Sequence, residues 1–299
     1  MRVTNQMLTR NVLQNLQANL GRMQKYQHQL SSGRSINKPS DNPLSTVRIM
    51  GLSSRLDTGE QYKKNLDGGI SWLSVTETAL GGVNEVMQRA RELTVHGATG
   101  TLSDDSRNAI ALEVEQLLGN LIQIANSTHE ERYVFGGFKT VNIPFVLEEG
   151  IDGPEVNYQG DQGKIRWEVA QGVTMEMNLT GEELFVEGEN LFEVLMDLKG
   201  SLLRGDTEKI GGEILENMDT AINKVLNYRA VVGARMNRLE MADKRNFEEK
   251  INMNIVQSSL YDIDLAEVLM QYSVQESVYN ASLSVGARSI QLSLVDFLR

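Results

Sequence analysis

No cysteine occurs in the 299 residues, so a disulfide framework, a thiolate metal site and a thiol nucleophile are all excluded. That absence suits a reducing compartment, and equally a protein that crosses into an oxidising space without forming disulfides. Proline is scarce: Pro39, Pro43, Pro144 and Pro154 fall in two narrow zones, leaving residues 1–38 and 155–299 without any. Long uninterrupted helices are therefore permitted at both chain ends. Aromatic residues make up 6% of the chain, and no basic stripe with interleaved aromatics offers a nucleic-acid surface. No run is apolar long enough to span a bilayer, and the start MRVTNQMLTRNVLQNLQ lacks the apolar core and small-residue cleavage site of a secretory leader. By those rules alone the chain is expected in the cytosol. Acid is missing from the beginning: the first carboxylate is Asp41, although the net charge is -11. An acidic balance repels phosphate backbones and anionic lipid, so neither nucleic acid nor membrane is expected as a partner.

What is present is a folding composition, 40% hydrophobic and 23% charged, long enough for one large core or two modest ones. Near the start, Leu13, Leu16, Leu20, Met23 and Leu30 follow steps of three and four, with Gln27 in one seam position, which predicts a helix with a narrow apolar stripe. Its charges are Arg2, Arg10, Arg22, Lys25, Arg34 and Lys38, all basic. Near the end, Leu260, Ile263, Met270, Val274 and Ala281 keep the same spacing, interrupted by Glu267 and Ser277. Asp262, Asp264, Glu267, Glu276 and Asp296 there outnumber Arg288 and Arg299. Two weak stripes of opposite charge at opposite ends are expected to pair.

Helical patterning resumes near Ser45 and runs through Leu66, Leu73, Leu80 and Met87 to Gly97, with a wobble expected at Gly68-Gly69. Ser103 is placed to cap a following helix whose first turn holds Asp104 and Asp105, and which carries Ile110, Val114, Leu117, Leu121 and Ile124. Another long helix is predicted from about Asp206, interrupted at Gly233. Between about 132 and 188 the period changes to two. KIRWEVA and VTMEMN alternate, and Gln162-Gly163 and Gln171-Gly172 read as hairpin turns. The stretch NLFEVLMDLKGSLL reads as a shorter return helix.

Chemistry has few candidates. His28, His96 and His129 lack the i, i+4 pairing of a helical zinc site, and the histidine of HEER at 129–132 reads as a solvated helical residue. GGFK at 136–139 and GDQGK at 160–164 read as turns, since no phosphate-loop or dinucleotide fingerprint surrounds them. Asp104-Asp105 and Glu248-Glu249 read as solvated helix faces. The sequons at Asn126, Asn178 and Asn280 are short enough to arise by chance. No catalytic, cofactor-binding or metal residue is assigned, and the sequence points away from an enzyme.

Self-association remains, and here the sequence resembles a known family. ISWLSVTETALGGVNEVMQRARELTVHGATGT at 70–101 and LSSGRSINKPSDNP at 30–43 resemble the N-terminal segments of bacterial flagellins, with Gly33, Arg34, Ile36 and Asn37 as motif positions. YRAVVGARMNRLE at 228–240 resembles their C-terminal element, through Gly233, Ala234, Asn237, Arg238 and Leu239. Within that superfamily, RYVFGG at 132–137, with Tyr133, Phe135 and Gly137, and the run at 156–185 resemble the third class of flagellar hook-associated proteins. Gly136 stands where that class often has alanine, and Leu179-Thr180 stand where proline is common.

The resemblance implies a mainly α fold, a long antiparallel helical bundle formed by both chain ends with a small inserted antiparallel β domain. It implies a terminal coiled-coil assembly domain at 1–40 and 255–299, a helical rod at 41–131 and 206–254, and an outer β-rich domain with its return helix at 132–205. It further implies a non-catalytic subunit without cofactor, exported through the flagellar type III channel and assembled as a ring of like subunits between the first hook-associated protein and the flagellin filament. A chaperone is expected on the C-terminal segment before export. The residues expected at the assembly interface are Leu13, Leu16, Leu20, Met23 and Leu30 with Leu260, Ile263, Met270 and Val274. Independently, each stripe is narrow, and a lone helix pair buries little area at roughly 25 cal/mol per Å² against about 1–2 kcal/mol of backbone entropy per residue. Folding of the ends is thus expected to couple to polymerisation. A short flagellin forming the filament itself and a cytosolic coiled-coil scaffold are the alternatives.

Overall fold

Proline-free ends become helices, as the chain's punctuation allows. A computed structural model describes residues 5–150 and 153–297, and among these the side chains of 5, 6, 8, 150, 153 and 289–297 are outside the description. Arg2, Arg299 and the Asp296 side chain therefore lie outside it. In chain order the elements are α1 (Asn5–Ser32), α2 (Pro43–Gly97), α3 (Asp104–Ala125), β1 (Thr128–His129), β2 (Arg132–Tyr133), β3 (Phe145–Gly150) and β4 (Gly153–Tyr158). There follow β5 (Arg166–Ala170), β6 (Val173–Glu176), a π-helical turn Glu182–Val186, α4 (Leu191–Arg204) and α5 (Thr207–Lys209). A second π-helical turn, Ile210–Ile214, leads into α6 (Leu215–Tyr261), and α7 (Leu265–Phe297) ends the described chain. The fold is mainly α with three small antiparallel hairpins in the middle, β1–β2, β3–β4 and β5–β6. The chain divides into two compact units: a terminal unit of residues 1–58 and 249–299, and a central unit of residues 59–248.

In the central unit the expected wobble does not occur. α2 is continuous through Gly68-Gly69, and the glycines serve close approach instead. A Cβ at Gly69 would meet Met177 Sδ at 2.7 Å, and one at Gly68 would meet the Trp167 ring at 3.0 Å. The β5–β6 hairpin thus lies on a window of bare backbone. Asn65 Nδ2 fastens it by donating to Glu168 O at 2.8 Å. The turn at Gln171-Gly172 is a hairpin turn as predicted, with Gly172 at φ 71°. Gln162-Gly163 is not one: Gly163 N donates to Asp161 Oδ1 at 2.8 Å in the connection before β5, while β3 and β4 pair from Phe145↔Tyr158 to Gly150↔Gly153.

An aromatic cluster closes the module over α4. Phe145 lies 5.1 Å from Phe185, 5.3 Å from Phe192 and 5.0 Å from Tyr158, ring centre to ring centre. The Phe145–Phe185 pair is an edge contact, of the kind that adds to the area these rings bury. The family-like segment 132–137 is built into it. Phe135 is fully buried, and its carbonyl accepts from Gly181 N and Tyr158 OH, each at 2.9 Å. Tyr133 N donates to Thr140 O at 2.7 Å. Gly137, at φ 68°, has no room for a Cβ beside Asp161 O, which would lie at 2.2 Å, and Gly136 is as tight, with Lys139 O at 2.6 Å. His129 is not a helical residue: it lies in the β1–β2 hairpin, its ring edge-on to Trp72 at 5.7 Å. Asn126 and Asn178 are tied by hydrogen bonds to Phe145 and Ile165, so neither sequon is a free acceptor.

Helix ends follow their local chemistry. Ser103 caps α3 by accepting from Ser106 N, Asn190 caps α4, and Gly205 ends α4 at φ 75°. The long helix expected from Asp206 starts differently. Asp206 caps the short α5, the glycine pair Gly211-Gly212 falls in the π turn, and α6 then runs through Gly233 unbroken. The core joins α2, α3, α4, α6 and the β module, with Leu66, Leu73, Leu80, Met87, Val114, Leu121, Leu195 and Val225 fully buried. Ile110, Val114 and Leu121 of the predicted α3 stripe are buried, while Leu117 and Ile124 pack at its margin.

In the terminal unit α1 and α7 pair antiparallel, Val12 meeting Gly286 at one end and Arg34 bridging to Asp262 at the other. The first turns of α2 meet the last turns of α6, where Gln257 Nε2 donates to Ser53 Oγ at 3.0 Å. Among the described residues this unit buries one apolar side chain to the core standard, Ile49. No described helix of the protein is long and apolar enough to cross a membrane.

Candidate assembly surface at the paired chain ends

The segment Gln29–Asn42 is a clip rather than a linker. Gly33, at φ 69°, ends α1 with its N–H on Gln29 O at 2.8 Å, a position where any side chain would be strained. The chain then binds its other end: Ser35 N donates to Tyr261 O at 2.7 Å, and Ile263 N donates to Gly33 O at 3.2 Å. The Arg34 guanidinium lies 4.3 Å from the centre of the Tyr261 ring. Asn37 Nδ2 donates back to Arg34 O at 3.2 Å, and Gln29 Nε2 to Ser35 O at 2.8 Å. Gly33, Arg34 and Asn37 thus share one task, with Ile36 half-buried beside them.

Asn42 caps α2, its Oδ1 accepting from Ser45 N at 3.1 Å ahead of Pro43 at the first helical position. Asp41 folds back instead. Its Oδ2 accepts from Lys38 N at 3.0 Å and Asn37 N at 3.2 Å. Those backbone donors, Lys38 first and Asn37 next, hold the carboxyl below the usual aspartate range.

The predicted α7 stripe does not face α1. Met270 and Val274 are 62% and 59% exposed, and Leu13 on α1 is 52% exposed. Leu16, Leu20, Met23 and Leu30 are half-buried, as are Leu260 and Ile263. These last two are not on α7 at all. α6 ends at Tyr261, and α7 begins only after Asp264, whose Oδ1 accepts from Ala266 N at 2.9 Å. The seam that forms uses Val12, Leu16, Asn19, Met23, Tyr26 and Leu30 of α1 against Val268, Gln275, Tyr279, Ser282 and Gly286 of α7. Its spacing on α1 is as regular as that of Leu13, Leu16, Leu20, Met23 and Leu30. Asn19, Gln275 and Ser282 concealed it, because polar residues score against a seam. Beyond the lower turns of the seam a groove of about 480 Å³ runs between Arg22 and Lys25 on one wall and Asp264 and Glu267 on the other.

The faces left over are apolar. On α7, Met270, Val274 and Val278 make an exposed ridge that Val285 continues, and Leu265 and Leu269 are exposed together on another face, with Leu283 apart from them further along. α2 exposes Leu44, Val47 and Met50, and α6 exposes Ile251 and Ile255. In the central unit, Ala234, Asn237 and Arg238 of the second family-like motif are exposed on α6, whereas Leu239 is fully buried against Gly69. Space is open around Gly233. Contiguous exposed apolar ridges mark surfaces that a partner covers.

The chain matches the bacterial flagellin N-terminal helical region over residues 3–140 and the bacterial flagellin C-terminal helical region over residues 215–298. It is 26% identical over 306 residues to flagellar hook-associated protein 3 of Escherichia coli (strain K12), covering 94% of this chain and 95% of that one. It is also 26% identical over 306 residues to the flagellin of Bacillus subtilis (strain 168), covering 97% of each. A solved structure of a flagellar hook-associated protein from Vibrio parahaemolyticus superposes with a TM-score of 0.67 at 24% identity, covering 74% of this chain and 100% of that one.

Proposed function

The chain belongs to the bacterial flagellin family and is a structural component of the bacterial flagellum, and from that premise we propose that it sits at the hook-filament junction. It assembles there as a ring of like subunits, with the first hook-associated protein on one side and flagellin on the other. It performs no catalysis and holds no cofactor. The observation that carries the reading is the terminal unit: α1 and α7 meet through a partly polar seam and leave apolar ridges uncovered on α2, α6 and α7. Such a unit is completed by neighbours, as a subunit of a closed ring or tube requires. The terminal part at 1–40 and 255–299 is the assembly domain, with Leu13, Leu16, Leu20, Met23, Leu30, Leu260, Ile263, Met270 and Val274 contributing to its contacts. The helical part at 41–131 and 206–254 carries the β-rich outer part at 132–205.

Export by the flagellar type III system, in an unfolded state, fits a chain whose ends hold few buried contacts, and a chaperone covering the C-terminal segment would shield its ridges until then. The test is location: antibody labelling of intact flagella should mark a single band where hook meets filament. Label along the whole filament would overturn the junction reading. A second reading, a short flagellin, is favoured by the end-to-end match to the Bacillus subtilis protein. Purified subunits decide between them, since long self-grown filaments indicate flagellin and rings, caps or no polymer indicate the junction.

A further inference from the structure

Two adjacent glycines inside a helix are a place where it gives way, because each weakens the helix about fivefold relative to alanine and brings no side chain to brace the turn. α2 holds two such pairs and is unbroken through both. They are braced differently. α3 runs antiparallel to α2, with Glu113 on Arg89 and Ile124 Cδ1 3.2 Å from where a Gly82 Cβ would stand, so it covers Gly81-Gly82, flanked by the fully buried Leu80 and Val83. α3 then ends at Ala125 and does not reach Gly68-Gly69, 13 residues earlier on α2. The β5–β6 hairpin takes its place there. A Cβ on Gly68 would meet two Trp167 ring carbons, at 3.0 and 3.4 Å, and nothing else within 4 Å outside the helix's own backbone. Asn65 Nδ2 and the Tyr62 hydroxyl fasten the hairpin to α2 by donating to Glu168 O at 2.8 Å and Glu168 Oε1 at 3.3 Å. Arg235 fastens it to α6, donating from Nη1 to Asn178 O at 3.0 Å and from Nη2 to Glu176 Oε2 at 3.2 Å. Met177, whose N–H donates to Ile165 O at 2.9 Å and so prolongs the pairing, seats its sulfur over Gly69.

We propose that Gly68-Gly69 is a hinge in α2 that the docked β5–β6 hairpin splints. With the hairpin seated the helix is continuous, and when the hairpin lifts the backbone opens at these two residues. The same glycines serve both states: a side chain at either position would crowd the hairpin, and without the hairpin the bare turn is the weakest of the helix. α2 runs from this core into the terminal unit as far as Pro43, so the hairpin decides whether that element is one helix or two. Its fastenings are four hydrogen bonds from side chains and one tryptophan ring, few enough for the hairpin to open while the core around Leu80 stays closed.

Amide hydrogen exchange on the free full-length chain tests this. In the helical ladder the N–H groups of Trp72 and Leu73 bond to the carbonyls of Gly68 and Gly69, so their exchange reports opening of the pair. Trp167→Ala, which leaves the sequence of α2 untouched, is expected to speed both about tenfold while Leu80 to Met87, across the braced pair, exchange as slowly as in the parent. Arg235→Met, which frees the hairpin from α6 with the ring intact, should give the same pattern at smaller amplitude. Gly68→Ala added to Trp167→Ala places its methyl in open space and should slow Trp72 and Leu73 again, by about fivefold. The proposal is overturned if neither hairpin variant speeds these amides, or if the added alanine fails to slow them. It is equally overturned if Trp167→Ala speeds amides throughout the central unit alike, since the hairpin would then be an ordinary part of one cooperative core. Exchange in the free chain involves no assembly, so the hinge can fail while the junction reading stands, and the labelling test can fail while the hinge stands.

Discussion

The terminal and central units use the same helical secondary structure to opposite ends. Among the described residues every apolar side chain buried to the core standard except Ile49 belongs to the central unit. That unit is also laced by ion pairs, Arg91–Asp219 at 2.5 Å, Arg229–Glu77 at 2.6 Å and Lys63–Asp243 at 2.8 Å, whereas Lys25–Asp41 in the terminal unit spans 3.9 Å. Exposed pairs contribute little singly, so the burial matters more. The difference teaches that helix pattern alone does not mark a self-sufficient fold. Two stretches of similar periodicity differ in whether the chain itself covers their apolar faces.

The sharpest way to break that comparison is to remove α7. Deleting residues 265–299 should leave the thermal transition of the central unit in place and abolish incorporation into flagella entirely. A truncated chain that still completes a junction would sink the assembly role of the terminal unit. Next in size are matched large-to-small substitutions. Leu80→Ala, at a fully buried position, should cost about 2–5 kcal/mol in chemical denaturation. Met270→Ala, 62% exposed, should change the free subunit's stability by no more than about 0.5 kcal/mol while reducing incorporation. If both variants lose stability alike, the terminal unit carries a core of its own and the contrast fails.

Glycine substitutions probe the same contrast more gently. Gly69→Ala in the central unit drives a methyl to 2.7 Å from Met177 Sδ and 3.3 Å from Leu239. Overpacking of about 1–3 kcal/mol there exceeds the helix-propensity gain of about 1 kcal/mol, so a net loss is expected. Gly51→Ala in the terminal unit meets nothing within 4 Å and should gain about 0.5–1 kcal/mol of helix stability. Opposite signs in the two denaturation curves would support the window under the β5–β6 hairpin.

Much of this was legible from residue order. The proline-free ends, Ser103 as a cap and the hairpin at Gln171-Gly172 rest on local chemistry, and local chemistry is what the structure displays there. Misreadings arose where a tertiary contact decides. Gly68-Gly69 looked like weak helix because the sequence does not reveal Trp167 and Met177 arriving against it. The predicted α1 stripe shares Leu16, Met23 and Leu30 with the seam but takes Leu13 and Leu20 where Val12 and Asn19 stand, because Asn19 interrupts the true stripe with a polar residue. Leu260 and Ile263 keep the heptad spacing across a break made where Tyr261 O and Ile263 N bond to the clip and Asp264 caps α7.

The smallest effects concern pH, and they differ in sign between the units. In the central unit burial pushes the Tyr158 hydroxyl up to about 12 from 10.0. Its neutral form is favoured in the fold, so that contribution is complete below pH 10.0 and is lost as pH rises towards about 12. A phenolate absorbance titration should find one tyrosine ionising well after the exposed ones, and Tyr158→Phe should remove that late component. In the terminal unit the backbone donors of Lys38 and Asn37 lower Asp41 from its ordinary 3.8. The folded value lies beneath the unfolded one, so the carboxylate's contribution is present above pH 3.8 and is lost as pH falls through the depressed value. Because Asp41 is open to solvent, global unfolding should barely register the change. Protease cleavage within residues 36–42 should register it, and Asp41→Ala should raise cleavage there at neutral pH without moving the central unit's transition. A carboxyl carbon signal for Asp41 that titrates at 3.8 or above would show that the clip does not hold its loop in the way these hydrogen bonds require.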